Sequence, residues 1–264
     1  MKSEHRAFTY FGNIALVNFP NDIKKNKKIE FAKKIIDENK SIKTVLEKSS
    51  NFKGRLRKMK TKHLAGEKNK EILYKENNCI FRFNIDSTYF SPRLSNERKE
   101  IAQLIKKNEK VLVMFAGVAP FSIVIAKNSH AKKVYSNEIN RVANKYSKLN
   151  IKLNKLENKV ELLPGDAKKM AASLHKKNEK FDVIVMARPQ LKNTFLEDAF
   201  KLTKKGTRVY YYDFCQTEDT NLIIEKVKLE AKKANKKIKI INTKKAGEIA
   251  PYKIRFRVDF KLLN

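Results

Sequence analysis

From Ser95 onward, short apolar runs alternate with helical patterns, and this order constrains the fold more than any other feature of the chain. The runs fall at 111–115, 133–138, 160–163, 183–186 and 208–212, with helical stretches at 121–126, 141–153, from Asp166 through Leu174, and 196–202. A helix at 96–107, with Asn96 or Ser95 as its cap, precedes the first run. A Lys-rich helix from about 220 to 235 and two strands, 238–241 and 252–260, close the chain. Near-continuous Val, Ile and Leu in a run marks a strand buried on both faces. Strand and helix in strict alternation predict an α/β fold built on a doubly wound parallel sheet.

Residues 1–85 follow a different pattern. A strand at 14–17 leads to a helix at about 26–38, with Ile29, Phe31, Ala32, Ile35 and Ile36 on one face. A short strand at 44–46, the basic run Lys53-Gly54-Arg55-Leu56-Arg57-Lys58 and an alternating strand at 79–85 complete it. This mixture predicts a small α+β domain over 1–85, ahead of the α/β domain over 86–264.

Charge narrows the function. The 264 residues carry 60 Lys and Arg against 28 Asp and Glu, a net charge of +32. A chain so strongly self-repelling works beside a polyanion, nucleic acid first and an anionic membrane surface second. No apolar run reaches the roughly 18 residues of a membrane-spanning helix, and Met1 to Phe8 has no signal-peptide core, so a cytoplasmic location is expected. Two cysteines, Cys79 and Cys215, make no disulfide framework. His5, His63, His130 and His175 are scattered, so no metal site is expected.

Open α/β sheets bind ligands beyond the carboxyl ends of their strands. Three successive ends carry suggestive residues: Phe115-Ala116-Gly117, then Glu138, 21 residues beyond Gly117, then Gly165-Asp166. Small residues admit a ligand to the backbone, a carboxylate at that distance suits ribose hydroxyls, and Asp166 could accept from an adenine amino group. Each has a plainer explanation, as a simple turn, a solvated acid or a helix cap. Together they predict an adenosine ligand. Ala119 and Phe121 break the GxGxxG pattern, which favours a single adenosine moiety over a dinucleotide.

The run Thr88-Tyr89-Phe90-Ser91-Pro92-Arg93-Leu94-Ser95-Asn96-Glu97-Arg98, followed by Met114-Phe115-Ala116-Gly117-Val118-Ala119-Pro120-Phe121, resembles the archaeal and eukaryotic tRNA guanine-37 N1-methyltransferases. The resemblance extends from Gly12-Asn13-Ile14-Ala15 through Leu64-Ala65-Gly66-Glu67 to Tyr210-Tyr211-Tyr212-Asp213-Phe214 and Pro251. It implies a Rossmann-like domain binding S-adenosylmethionine, preceded by a small RNA-contacting domain, in a short form without the extra N-terminal domain of many members. It implies Glu97 as general base on guanine N1, Arg57 or Arg55 as a catalytic arginine, and Tyr89 and Arg93 on the methionine side of the cofactor. It also implies Phe115, Gly117, Glu138, Asp166 and Pro189 around the cofactor, with Arg98 meeting RNA. Arg55, Arg57 and Lys58 are expected to clamp the anticodon stem-loop, and the protein is expected to act as a monomer.

Guanine N1 must lose a proton before it attacks a methyl sulfonium, so the reaction needs a base but no metal. The chain departs from the family at Val113, where many members have Asp, at Ala119 in place of Gly, and at Ala187-Arg188-Pro189 in place of Asn-Leu-Pro. Two related activities stay open on these residues, methylation of the tricyclic wyosine precursor and transfer of the aminocarboxypropyl group. A non-catalytic RNA-binding module on the same fold is the alternative of another class. The Tyr210-Tyr211-Tyr212 run is read as an ordinary strand of mixed burial, and the stretch from Lys226 to Lys237 as a solvated helix face.

Overall fold

A computed structural model describes residues 8–20, 22–50, 54, 56, 58–187, 191 and 193–264. The chain divides into two compact units, Met1–Pro92 and Arg93–Asn264.

In the first unit, β1 (Phe8–Phe11) and β2 (Ile14–Val17) form a hairpin, and α1 (Lys25–Glu38) crosses to β3 (Thr44–Lys48), which pairs parallel to β2. β4 (Thr61–Gly66) adds antiparallel to β3, while β5 (Glu71–Glu76) and β6 (Cys79–Asn84) make a separate two-stranded ribbon. Ala32 and Ile35 of α1 bury against Ala15, Val17, Val45 and Ala65 of the sheet, which is the face the helical spacing predicted. Two glycines of the resembling motifs are sterically required. Both have positive φ, and a Cβ on Gly12 would lie 1.9 Å from the Leu73 carbonyl oxygen, on Gly66 2.1 Å from that of Lys43. β1, β4 and β5 were not foreseen from sequence, because β1 is only four residues long and mostly exposed, and the exposed, Lys-interrupted patterns of β4 and β5 hide the two-residue period.

A 3-10 turn, Pro92–Leu94, begins at the last residue of the first unit and leads into α2 (Ser95–Leu104) of the second. Leu94 occupies the capping position and no side chain caps α2, so neither Ser95 nor Asn96 is the cap expected from sequence. The 3-10 turn runs directly into the helix, so Ser95 and Asn96 already lie inside its first turn. Then follow β7 (Lys110–Met114), α3 (Pro120–Asn128), β8 (Lys133–Glu138), α4 (Arg141–Leu153), β9 (Val160–Pro164), α5 (Ala167–Lys176), β10 (Phe181–Met186) and α6 (Leu196–Phe200). β11 (Thr203–Gln216), α7 (Thr220–Lys233), β12 (Ile238–Ala250) and β13 (Lys253–Leu262) complete the unit.

The sheet order is β12-β13-β11-β10-β7-β8-β9, parallel from β11 to β9 and antiparallel at β13 and β12. This is the doubly wound α/β sheet the alternation predicted and the Rossmann-like domain the resemblance implied. Leu112, Met114, Ile184, Met186, Val209 and Tyr211 face a core shared with α5, α6 and α7. Val111, Val113, Val183 and Val185, also fully buried, alternate to the opposite face. Successive strands run outward from β7 to β9, and the chain then returns to β10 on the other side of β7. The order therefore reverses between β7 and β10, the switch point at whose carboxyl ends open α/β sheets bind ligands. α7 buries Ile223, Val227 and Ala231 and leaves its lysines outside, as read from sequence.

Candidate active site

The three strand ends singled out in the sequence meet because β7, β8 and β9 are neighbours in parallel register, with Met114 opposite Asn137 and Glu138 opposite Pro164. The Glu138 carboxylate joins two of them. Its Oε2 accepts the Gly117 N–H and its Oε1 the Asn140 N–H, each at 2.7 Å. Burial pushes its carboxyl above the ordinary carboxylate range, and the Asn140 and Gly117 N–H groups partly counter this. The Ile139 N–H adds to this stabilisation, so three backbone donors face the carboxylate.

The turn after β7 is held in a costly conformation. Phe115 and Ala119, neither of them glycine, have φ of 62° and 66°, and Gly117 lies between them at 60°. Left-handed backbone at non-glycine residues costs about 1–3 kcal/mol each and persists where surroundings fix it. Here Ala116 N–H donates to the Asn137 carbonyl at 2.8 Å, Ser147 Oγ to the Gly117 carbonyl at 3.1 Å, and Asn150 Nδ2 to the Val118 carbonyl at 3.2 Å. The half-buried Phe115 ring meets Phe195 edge-on at 5.1 Å. Asn137, 1% exposed, clamps the third strand end by donating to the carbonyls of Leu163 at 2.7 Å and Gly165 at 3.1 Å. Sequence reading missed Asn137, Ser147 and Asn150; the available signal was their polarity on faces that the periodicity buries.

Asp166 is the N-cap of α5, Oδ1 accepting from Lys168 N–H at 2.9 Å and Lys169 N–H at 3.2 Å. The plainer explanation of Asp166 is therefore real, and it also fixes the carboxylate at the strand end. An adenosyl group asks for a paired acceptor for two hydroxyls, a close-approach turn and an aromatic wall. Glu138, the Gly117 turn and Phe115 match those demands.

A second cluster surrounds Glu97, which is 6% exposed in the first turn of α2. Its Oε2 accepts from Tyr212 Oη at 3.0 Å and Arg257 Nη1 at 2.7 Å, and its Oε1 lies 3.0 Å from Lys244 Nζ. Arg257, 0% exposed, also reaches Glu100 Oε1 at 2.6 Å and chelates Asp259 at 2.7 and 3.0 Å. Tyr212 packs on Phe121 of α3 at 5.9 Å, which joins this cluster to the helix that follows the Gly117 turn. None of these partners was read from sequence. Tyr210, Tyr211 and Tyr212 are all buried, not of mixed burial as expected, because β11 is an interior strand.

Arg98, expected to meet RNA, is 1% exposed, with its guanidinium 5.8 Å from the Phe121 ring. The side chain is enclosed there and does not display its charge on the outer surface. Arg93 and Lys58 are exposed and Tyr89 is half-buried. Arg55, Arg57 and Pro189 lie outside the described residues. Among the described residues no three of His, Cys, Asp and Glu gather as a metal site, and no helix is long and apolar enough to cross a membrane.

The TRM5/TYW2 methyltransferase domain model matches residues 72–241, and the TYW2 N-terminal domain model matches residues 1–69. The chain belongs to the TRM5/TYW2 methyltransferase family. It is 33% identical over 97% of its length, and 74% of the relative's, to tRNA (guanine(37)-N(1))-methyltransferase Trm5b of Pyrococcus abyssi. It is 30% identical over 97% of its length, and all of the relative's, to tRNA (guanine(37)-N(1))/4-demethylwyosine(37)-methyltransferase Taw22 of Nanoarchaeum equitans. The crystal structure of Pyrococcus abyssi Trm5b superposes with a TM-score of 0.85 at 32% identity, covering 98% of this chain and 75% of that one. A complex of aTrm5 with tRNALeu gives 0.83 at 27% identity, covering 98% and 72%. Methanocaldococcus jannaschii Trm5 in complex with adenosine gives 0.80 at 26% identity, covering 98% and 74%.

Proposed function

We propose that this chain methylates N1 of guanosine 37 in the tRNA anticodon loop, using S-adenosylmethionine and the Glu97 carboxylate as general base. The observation that carries the reading is the 33% identity, over 97% of the chain, to a relative named for that activity. The Glu138–Gly117 linkage supports the cofactor assignment independently. When bound, S-adenosylmethionine supplies a methyl group on a sulfonium, activated for transfer.

The residues divide the remaining work. Glu138, Gly117, Phe115 and Asp166 hold the adenosine, Pro189 is assigned to the cofactor by the family resemblance alone, and Tyr89 and Arg93 orient the methionine side. Glu97 takes the proton from guanine N1, an effect typically worth about 10²- to 10⁴-fold. Arg57 or Arg55 stabilises the charge that develops on guanine O6. The target base is stacked within its loop and must turn out into the site. Residues 1–85, with Arg55, Arg57 and Lys58, clamp the anticodon stem-loop, and the +32 charge steers tRNA toward them. The monomeric state and cytoplasmic location expected from sequence belong to the same proposal.

The test uses labelled S-adenosylmethionine with unmodified tRNA transcripts carrying guanosine or adenosine at position 37, and a third tRNA carrying 4-demethylwyosine. Transfer to the guanosine transcript alone, largely lost in Glu97→Gln, is the expected result. Transfer only to the 4-demethylwyosine tRNA would replace this reading with the wyosine-precursor one. Transfer that ignores position 37 would refute the target assignment.

A further inference from the structure

The two oxygens of Glu97 are not equivalent. Oε2 accepts from the Tyr212 hydroxyl at 3.0 Å and from Arg257 at 2.7 Å, which uses both of its lone pairs on buried donors. Oε1 meets Lys244 at 3.0 Å, and Lys244 shares its ammonium with Glu100 Oε2 at 2.6 Å. The Lys244 side chain is 34% exposed, whereas Arg257 is 0% exposed. One oxygen is thus locked by the fold, and the other faces a long side chain able to swing toward solvent.

Charge within the cluster fits a proton acceptor. Glu97 and Glu100 come from α2, Asp259 and Arg257 from β13, Lys244 from β12, and the neutral Tyr212 from β11. Tyr210 lies under the Arg257 guanidinium at 5.9 Å, and Asn242 donates to Asp259 at 3.3 Å. Arg98 follows Glu97 in the chain but reaches the Phe121 ring. Three carboxylates against two cations leave one net negative charge, which a single proton neutralises. Burial, then the Glu97 carboxylate, holds the Tyr212 hydroxyl protonated far above the ordinary tyrosine range, so it keeps the proton that it donates to Glu97. Burial opposes ionisation of Glu100, but hydrogen bonds from Lys244 and Arg257 outweigh it and lower its pKa, so Glu100 stays charged and keeps hold of both cations.

We propose that Arg257 and Tyr212 are positioning residues that fix the Glu97 carboxylate, leaving Oε1 as the atom that takes the guanine N1 proton. The inference rests on the function proposed above and deepens it. In the step, the N1–H bond breaks and an O–H bond forms on Oε1. The N1 electron pair takes the methyl group, and the S–CH₃ bond breaks to leave a neutral thioether. Lys244 yields Oε1 to the proton while retaining Glu100.

The experiment is single-turnover methylation of the guanosine-37 transcript across pH for wild type, Tyr212→Phe, Arg257→Lys, Lys244→Gln and Glu97→Gln. S-adenosylmethionine affinity by calorimetry reports the fold. Removing a donor makes the carboxylate more basic, so Tyr212→Phe and Lys244→Gln should move the acid limb of the rate profile up by about one pH unit, with tRNA KM unchanged. Arg257→Lys keeps the charge but not the bidentate geometry, and should lose about 10²-fold in rate at unchanged cofactor affinity. Should Arg257→Lys fail to fold, Tyr212→Phe and Lys244→Gln decide. If these two bind cofactor normally and keep the wild-type profile, the cluster is a structural tie and the inference is overturned. A wild type that leaves guanosine 37 untouched overturns the function and this inference together. A fully active Glu97→Gln overturns the base assignment and the inference but leaves the methyltransferase reading standing.

Discussion

Replacing Glu138 by Gln puts the adenosine site to its sharpest trial. The carboxylate accepts the Gly117 and Asn140 N–H groups on separate oxygens, each at 2.7 Å. An amide offers one acceptor oxygen, so in either orientation one backbone N–H must face an NH₂. A hydrogen bond to a charged group contributes about 1.5–3 kcal/mol, and a tenfold change in affinity is about 1.4 kcal/mol. If the Gly117 turn cradles the ligand, Glu138→Gln should therefore weaken S-adenosylmethionine binding about 10- to 100-fold. Stability should change less, because a neutral amide escapes the burial that raises the Glu138 carboxyl. The pH dependence has a definite sign. A carboxyl raised in the folded state costs stability above its folded pKa, and that cost fades as pH falls through it toward the ordinary 4.5. The wild type should thus gain in thermal midpoint relative to Glu138→Gln as pH falls, while its own cofactor affinity declines as the carboxylate protonates. Calorimetric titration and thermal melts at pH 7.5 and at pH 5 read both effects. A variant binding cofactor within twofold of wild type at pH 7.5 would refute the assignment.

Three further outcomes follow from the same geometry. Asn137→Ala leaves two strand-end carbonyls without their donor, so it should cost about 1–3 kcal/mol and lower the thermal midpoint by about 2–4 °C for each of these. Asp166→Ala should lose about 1 kcal/mol of helix capping, whereas Asp166→Asn keeps the cap. Weaker binding of S-adenosylmethionine to the folded Asn variant would isolate a ligand contact, and unchanged binding would leave Asp166 a cap alone. Replacing Arg55, Arg57 and Lys58 together with Ala should weaken tRNA binding and flatten its salt dependence by about one unit of slope per lost phosphate contact. Identical affinities across several salt concentrations would remove that segment from the interface.

Much of the architecture was legible because the second unit is repetitive in physics. Its central parallel strands β7 and β10 are buried on both faces, so Val111 to Met114 and Val183 to Met186 read as unbroken apolar runs. α4 and α5 carry the one-sided periodicity that packing demands, and Asn140 and Asp166 mark their starts with capping side chains. The strand-end residues of the proposed adenosine site could be grouped for a related reason. Parallel neighbours place consecutive strand ends side by side, so order along the chain became adjacency in space.

The sequence by itself determined the alternation, the strand-end acids and the basic character of the chain, since each depends on local pattern or on composition. Only the tertiary structure decided what surrounds Glu97. Arg257 lies 160 residues away on a strand that returns antiparallel beside β11, and Tyr212 lies 115 residues away. No local period encodes such a meeting, because it depends on which strand the last hairpin joins. The same sheet order that turns Tyr212 inward buries Arg257 against three carboxylates. A guanidinium taken out of water must be fully paired, and only the assembled sheet brings the partners that pair it.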